Sequence, residues 1–289
     1  MEITINNLTK TYKKKIALDS INLKIEEGMF GLLGANGAGK TTLIRILAIL
    51  LQKTSGEVII DGIPIENVNE IRKFIGYLPQ EFSFYPNFTV HDLLDYFCVL
   101  SKVEKDREKH ILELLETVNL QDMYRARFKT LSGGMKRRLG IAVALINKPQ
   151  FLLVDEPTVG LDPEERMRFR NLLTNYAHGR TVLLSSHIIS DIEEICSNLA
   201  VLKEGRILFT GSAKSLRQIT QGNVWELEVS EEQYEVLRSS FENKGTIISQ
   251  ILNGDMIKLR ILSEDKPDIS AVSVESKLED SYIKIMNNK

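Results

Sequence analysis

The sequence predicts an α/β fold: a largely parallel, buried sheet with helices on its faces, preceded by an antiparallel β segment, interrupted by a helical insertion and followed by a small α+β appendage. Three observations predict it. Short, predominantly apolar runs at residues 30–33, 151–154 and 181–185 alternate with stretches of helical periodicity, the pattern of strands covered on both faces. The first run passes through glycine-rich sequence straight into residues 41–51, whose apolar positions have helical spacing, so strand, loop and helix follow one another. A chain of 289 residues, 43% hydrophobic and 26% charged, buries a full core and exceeds one minimal domain.

Each element follows in order. Residues 3–8 and 16–25 alternate polar and apolar side chains with β-branched members, as half-buried strands do, and a polar turn carrying Tyr12 and the lysines 13–15 separates them. From residue 90 to about 127 the pattern turns helical: Leu93, Leu94, Phe97, Ile111, Leu114, Leu115 and Val118 form apolar stripes among many charges. This marks an inserted helical subdomain at about residues 88–148. After the strands at 151–154 and 181–185, residues 200–203 and 206–210 read as a hairpin turned at Glu204-Gly205. Near Gln221-Gly222 the style changes: residues 224–229, 246–252 and 256–262 read as strands, the last two around Asn253-Gly254-Asp255, and residues 231–241 and 278–286 as helices. The main domain is therefore expected at residues 1–219 and an α+β accessory domain at 220–289, with dimer bracing, regulation and plain stabilisation open as its role.

Charge and hydropathy exclude several classes. With 37 basic against 39 acidic side chains the net charge is −2, which gives no general attraction to nucleic acid or anionic lipid, and no direct nucleic-acid partner is expected. The most apolar stretches, such as 43–51, fall far short of the roughly 20 residues a spanning helix needs, and Arg45 interrupts that one. The opening MEITINNLTK lacks the basic, apolar and small-residue order of a secretion signal. Cys98 and Cys196 lie far apart in apolar surroundings, and free, reduced thiols in the cytoplasm are the expectation.

Gly34-Ala-Asn-Gly37-Ala-Gly39-Lys40-Thr41 fits G-x-x-x-x-G-K-[ST], with a strand before it and a helix after it. Glycines let the backbone wind tightly, so amide N–H groups converge on β- and γ-phosphate oxygens while the helix N-terminus adds positive potential. Asn36, Gly37, Ala38, Gly39, Lys40, Thr41 and Thr42 are assigned to the nucleotide, Lys40 by its charge; the Thr41 hydroxyl is assigned to Mg²⁺, which takes hard oxygen ligands. The run 151–156 is an apolar strand ending in Asp155 and Glu156. In an open α/β sheet the C-terminal strand edge is where ligands bind, so both acids are expected beside the phosphates. Asp155 then faces Mg²⁺, and Glu156 is the candidate that polarises a water for in-line attack.

Leu131-Ser132-Gly133-Gly134-Met135 precedes a helix containing Lys136, Arg137 and Arg138, a second helix N-terminus suited to an anion. Placed between a phosphate loop and its acids, it resembles the signature motif of ATP-binding-cassette (ABC) ATPases. The resemblance extends to Tyr12 where that family stacks an aromatic on adenine, Gln80 at the Q-loop, Gly160-Leu161-Asp162 at the D-loop and His187 as the switch histidine. It covers residues 1 to about 215. Met135 stands where the family usually has Gln or a near variant; with the following Lys-Arg-Arg, and with Leu278-Glu279-Asp280 ahead of an apolar helix, this resembles the single-cassette subunits of ABC-2 type exporters.

The resemblance implies a P-loop NTPase core of ABC type and an ATPase using ATP and Mg²⁺. It gives Gln80 the task of sensing the metal and the attacking water, and His187, as neutral imidazole, that of donating to a γ-phosphate oxygen and orienting Glu156. It implies a homodimer in which Ser132, Gly133 and Gly134 of one copy, with the Asp162 loop, meet the nucleotide held by Lys40 of the other. It further implies a separate transmembrane permease, which places the chain on the cytoplasmic face of the cell membrane. The dense aromatics Phe82, Phe84, Tyr85 and Phe88 after Gln80 either line a groove for the permease or form core of the helical subdomain. The alternative class is a soluble cassette ATPase acting on ribosomes or DNA, whose relatives carry paired cassettes or long coiled coils in one chain.

Overall fold

The computed structural model describes residues 1–103, 105–241 and 245–287. They form two compact units, Met1–Thr210 and Gly211–Lys289.

In the first unit, β1 (Ile3–Tyr12) and β2 (Lys15–Ile25) make the expected antiparallel pair, with Ile3 opposite Ile25 and Ile5 opposite Leu23. The alternation has its physical counterpart: Ile3, Ile5, Leu23 and Ile25 are buried, whereas Glu2, Lys24 and Glu26 on the outer side pair with one another in solvent. Strand β3 (Gly28–Leu33), buried from Met29 onward, leads through the loop 34–39 into α1 (Lys40–Leu47). That helix stops short of residue 51, and Ile49 turns to φ 59°, a left-handed conformation in which a helix cannot continue.

Two strands here have no alternating signature in sequence. β4 (Ser55–Ile60) adds to β1 with Ile5 opposite Val58 and carries the two-residue β5 (Ile63–Pro64), completing a four-stranded sheet ordered β2-β1-β4-β5. After the single turn α2 (Val68–Ile71), β6 (Ile75–Leu78) joins the main sheet. The helical insertion contains α3 (Val90–Leu100), α4 (Arg107–Thr117), two 3₁₀ turns and α5 (Gly133–Ala144). Helix α3 starts at a reciprocal cap: Asp92 N–H donates to Thr89 Oγ1 at 3.0 Å, and Thr89 N–H donates to Asp92 Oδ2 at 3.0 Å. Cys98 on α3 is buried and free.

The main sheet follows: β7 (Phe151–Asp155), α6 (Pro163–Tyr176), β8 (Thr181–Ser186), α7 (Ile189–Ile195), β9 (Asn198–Lys203) and β10 (Arg206–Ser212). The order is β10-β9-β3-β8-β7-β6, and the pairs from β9 through β6 are parallel. Leu33 lies opposite Ser186, and Asp155 opposite Ser185, so the phosphate loop and the two acids leave the same edge of the sheet with only β8 between their strands. One core runs under both sheets, from Ile3 and Leu8 through Leu43 and Ile44 to Phe151, Leu183 and Leu202. β9 and β10 lie side by side around Glu204 and Gly205, both at positive φ as a tight hairpin turn requires. Cys196, after α7, is buried and free, and burial pushes its thiol pKa up.

The second unit holds α8 (Ala213–Gln218), β11 (Val224–Ser230), α9 (Glu231–Phe241), β12 (Thr246–Asn253), β13 (Met256–Leu262), β14 (Val272–Ser273) and α10 (Leu278–Asn287). Its sheet is ordered β12-β13-β11-β14, and Leu227, Val229, Ile257, Leu259 and Ile261 form its core. The division falls at Thr210/Gly211 instead of near 219/220, because α8 packs with α10: Leu216 is buried, and the buried Thr220 hydroxyl bonds Ser281 Oγ at 2.6 Å. Among the described residues no helix is long and apolar enough to cross a membrane.

Candidate active site

The loop between β3 and α1 is a cradle built by its glycines. Gly39 caps α1 at φ 115°, and a Cβ there would sit 2.8 Å from the Ala17 carbonyl oxygen; at Gly34 a Cβ would strike the Leu202 main chain. No side chain caps α1 and no acid stands in its first turn, so its N-terminal potential stays unneutralised. Ala38 is buried beneath the loop, and its carbonyl accepts from Gly205 N–H at 2.8 Å, anchoring the cradle to the β9–β10 turn.

Lys40, 4% exposed, donates through Nζ to the carbonyl oxygens of Gly34 at 2.7 Å and Ala35 at 3.1 Å, and pairs with Glu156 Oε1 at 2.9 Å. Glu156 leaves β7 at φ 45°, a strained conformation for a residue with a side chain, and its N–H is held by the Ser185 carbonyl at 3.2 Å and Ser185 Oγ at 3.0 Å. Its second oxygen, Oε2, lies 2.7 Å from His187 Nδ1. Burial alone raises the Glu156 carboxyl, but Lys40 and then His187 outweigh it and hold the pKa below its ordinary value. An ionised carboxylate only accepts, so His187 Nδ1 carries the proton of that bond. A neutral imidazole has one N–H; this ring, while it orients Glu156, can donate to a phosphate as well only as the cation.

Asp155 is fully buried: Ser185 Oγ donates to its Oδ1 at 2.6 Å, whereas Oδ2 has no hydrogen-bond partner among the described residues. An orphaned, ionisable oxygen in the interior calls for a cation or a water. Thr41 and Gln80, whose hydroxyl and amide are hard oxygen donors of the kind Mg²⁺ takes, line the cleft, whereas Asp155 lies buried behind its lining.

One cleft of about 560 Å³ brings Tyr12, Asn36, Gly37, Gly39, Lys40, Thr41, Thr42, Gln80 and Glu156 together. Tyr12 is 43% exposed, with Lys10 Nζ 5.1 Å from its ring centroid, and so offers a face to a planar group. Ser132, Gly133, Gly134 and Asp162 do not line this cleft. Ser132 and Gly133 are exposed, and Ser132 caps α5, its Oγ accepting from Met135 N–H at 3.2 Å. Gly134 is buried where a Cβ would run into the Glu165 carboxylate. Asp162 caps α6 in the same manner, accepting from Glu165 N–H at 2.9 Å ahead of Pro163.

The sequence reading missed Ser185, which braces both acids, and the Lys15, Ile16, Ala17 and Glu204-Gly205 walls of the cleft. Ser185 could have been found only as a small hydroxyl ending an apolar strand. The aromatic segment divides: Phe84 packs against Phe82, Phe97 and Phe128 at centroid distances of 5.2, 5.3 and 5.4 Å, whereas Tyr85, Phe88 and Tyr96 are 58%, 38% and 40% exposed.

Residues 18–159, from within β2 to just past Glu156, match the family described as "ABC transporter". An uncharacterized ABC transporter ATP-binding protein of Bacillus subtilis is 34% identical over 301 residues, covering 99% of this chain and 97% of that protein. The Nod factor export ATP-binding protein I of Rhizobium etli is 38% identical over 221 residues, covering 74% and 69%. Among solved structures, an ATP-binding cassette in a dimeric post-hydrolysis state with ADP and Pi is 29% identical with a TM-score of 0.66, covering 73% of this chain and 98% of that one.

Proposed function

The chain belongs to the ABC transporter family as an ATP-binding, ATP-hydrolysing subunit, and on that premise we propose that two copies close head to tail around two MgATP to drive export through a separate membrane-spanning permease. The observation that carries this reading is the cleft itself, which assembles Lys40, Glu156 and Gln80 beside the phosphate loop while leaving Ser132 and Gly133 exposed elsewhere. Each copy thus owns half of the polar groups a sandwiched triphosphate needs, as a two-fold pair of shared sites requires.

In this mechanism the purine stacks on Tyr12 and the loop amides take the β- and γ-phosphate oxygens. Lys40 is the first group to respond. Its ammonium is shared between Glu156 and two carbonyls, and a γ-phosphate competes for it. Drawing Lys40 toward the phosphate frees Glu156 Oε1 to accept a proton from the attacking water, while His187 holds Oε2. Thr41, Gln80 and Asp155 would hold Mg²⁺, which would supply charge neutralisation to the reacting triphosphate.

Ser132, Gly133 and Gly134 of the second copy grip the far end of the triphosphate, so ATP joins the copies and hydrolysis removes the join. Moving such an equilibrium from 1:99 to 99:1 takes about 5.5 kcal/mol. Two desolvated γ-phosphates met by charge-assisted hydrogen bonds are of that order.

The exposed rings Tyr85, Phe88 and Tyr96 are the surface offered to a short helix of the permease, which tethers the subunit to the cytoplasmic membrane face. Export is supported by relatives such as the Nod factor export protein and the lantibiotic transport ATP-binding protein of Streptococcus pyogenes, 38% identical over 208 residues. The test is the mass of the Glu156→Gln protein in solution: MgATP should convert it from monomer to dimer, and a second change, Ser132→Arg, should prevent the conversion. A Ser132→Arg protein that still dimerises with MgATP overturns the proposed arrangement.

A further inference from the structure

One face of α5 holds the chain segment that ends in Gln80. Arg137, Gly140 and Ala144 recur at helical spacing along that face. A Cβ on Gly140 would run into the Phe82 ring and lie 2.8 Å from Leu78 Cδ1, and a Cβ on Gly76 of β6 would lie 2.5 Å from the Ala144 carbonyl oxygen. Arg137 completes the face. Its Nη1 donates to the main-chain oxygens of Pro79, at 3.4 Å, and Gln80, and its guanidinium lies 5.6 Å from the Phe82 ring centroid. One charged nitrogen shared between two backbone carbonyls, part-buried and with its flat guanidinium against an aromatic ring, is a directional link.

What this link joins gives it meaning. Gln80 lines the cleft of its own subunit, whereas Ser132, at the start of α5 and about one and a half turns from Arg137, does not. Over so short a length a helix moves as a rigid rod, so the position of the Gln80 main chain is passed to Ser132.

We infer that Arg137 is a positioning residue that couples the two nucleotide sites of the dimer: it ties the Gln80 backbone, set by the nucleotide in one cleft, to the Ser132 segment that the partner's nucleotide needs. This rests on the reading that Ser132 acts across the dimer. Arg137 touches no reacting atom. Its removal leaves the phosphate loop, Lys40 and Tyr12 in place and loosens only the pose of the signature segment.

The experiment uses the full chain carrying Glu156→Gln, with two readouts: binding of a fluorescent ATP analogue by the dilute monomer, and the MgATP concentration at which half the protein is dimeric by light scattering. Arg137→Ala should leave monomer binding within about twofold and raise the dimerisation midpoint about tenfold, the equivalent of one hydrogen bond from a charged donor. Arg137→Lys, which keeps the charge but not the flat guanidinium against the Phe82 ring, should fall between; it also answers the question if Arg137→Ala does not fold. An unchanged midpoint in both variants overturns the coupling role. Monomer binding that weakens as much as dimerisation shows that Arg137 merely shapes its own cleft, and also overturns it. Ser132→Arg in the same background separates the premise from the inference: if it leaves dimerisation intact, the action of Ser132 across the dimer fails first.

Discussion

Replacing Glu156 by Gln changes one charge and almost no volume, at the point where the structure concentrates its electrostatics. Glu156 is 5% exposed, with Lys40 at 2.9 Å and His187 at 2.7 Å. Breaking a buried ion pair by neutralising one partner costs about 3–5 kcal/mol when the other charge is left alone. Lys40 is not left alone, since the Gly34 and Ala35 carbonyls remain at 2.7 and 3.1 Å, so a cost of about 2 kcal/mol is expected for the nucleotide-free protein. In a unit of this size that lowers Tm by about 4–8 °C. MgATP should close most of this gap, because the γ-phosphate supplies the countercharge that the neutral amide of the variant lacks.

The hydrolysis rate should fall by about 10²–10⁴, the range for removing a general base. The pH dependence has a definite sign. The folded Glu156 pKa is depressed, so the carboxylate's stabilisation is fully present above its unfolded value of about 4.3 and is lost as pH falls through the lower folded value. The Tm difference between wild type and Glu156→Gln should therefore be level between about pH 5 and 8, begin to shrink below about pH 4.3, and vanish only once pH has fallen past the depressed folded value. Phosphate release and thermal unfolding with and without MgATP measure all of this. A variant keeping more than about a tenth of the wild-type rate, or a Tm deficit as large with MgATP as without it, would refute the roles given to Glu156 and Lys40.

Other outcomes follow from single sites. Gly39→Ala places a Cβ 2.8 Å from the Ala17 oxygen at φ 115°, a strain of at least about 1–2 kcal/mol, and should weaken ATP-analogue binding tenfold or more by fluorescence titration. Phe84→Ser should cost the isolated subunit about 3 kcal/mol in urea unfolding, since its ring packs on three others, whereas Tyr85→Ser, at a 58% exposed ring, should stay within about 0.5 kcal/mol and reduce copurification with the permease. Arg260→Met removes the countercharge from Asp280, which is 1% exposed and held by Arg260 at 2.7 and 2.9 Å, and leaves it the Lys277 N–H at 2.7 Å; unfolding of the 211–289 unit should ease by about 3 kcal/mol, read by limited proteolysis.

By itself the sequence determined the chemistry that is contiguous along the chain. The phosphate loop, the paired acids after an apolar strand and the glycine-rich cap before α5 are each written within a few neighbouring residues, because turn geometry, helix capping and strand burial are local demands. Tertiary structure decided everything that depends on residues meeting from afar. Strands β4 and β6 are short and glycine-containing, and they are strands only because β1 and β7 stand ready to pair with them. The split of the aromatic segment into packed Phe84 and exposed Tyr85 depends on where Phe97 and Phe128 arrive. The boundary at Thr210/Gly211 depends on α10 closing over α8. The Lys40–Glu156–His187 chain and its Ser185 brace exist because β3, β8 and β7 lie side by side, so three distant segments end at one sheet edge. Hydrogen bonds and ion pairs act over a few ångströms in space and carry no record of separation in sequence; only the register of the sheet could bring those groups within reach.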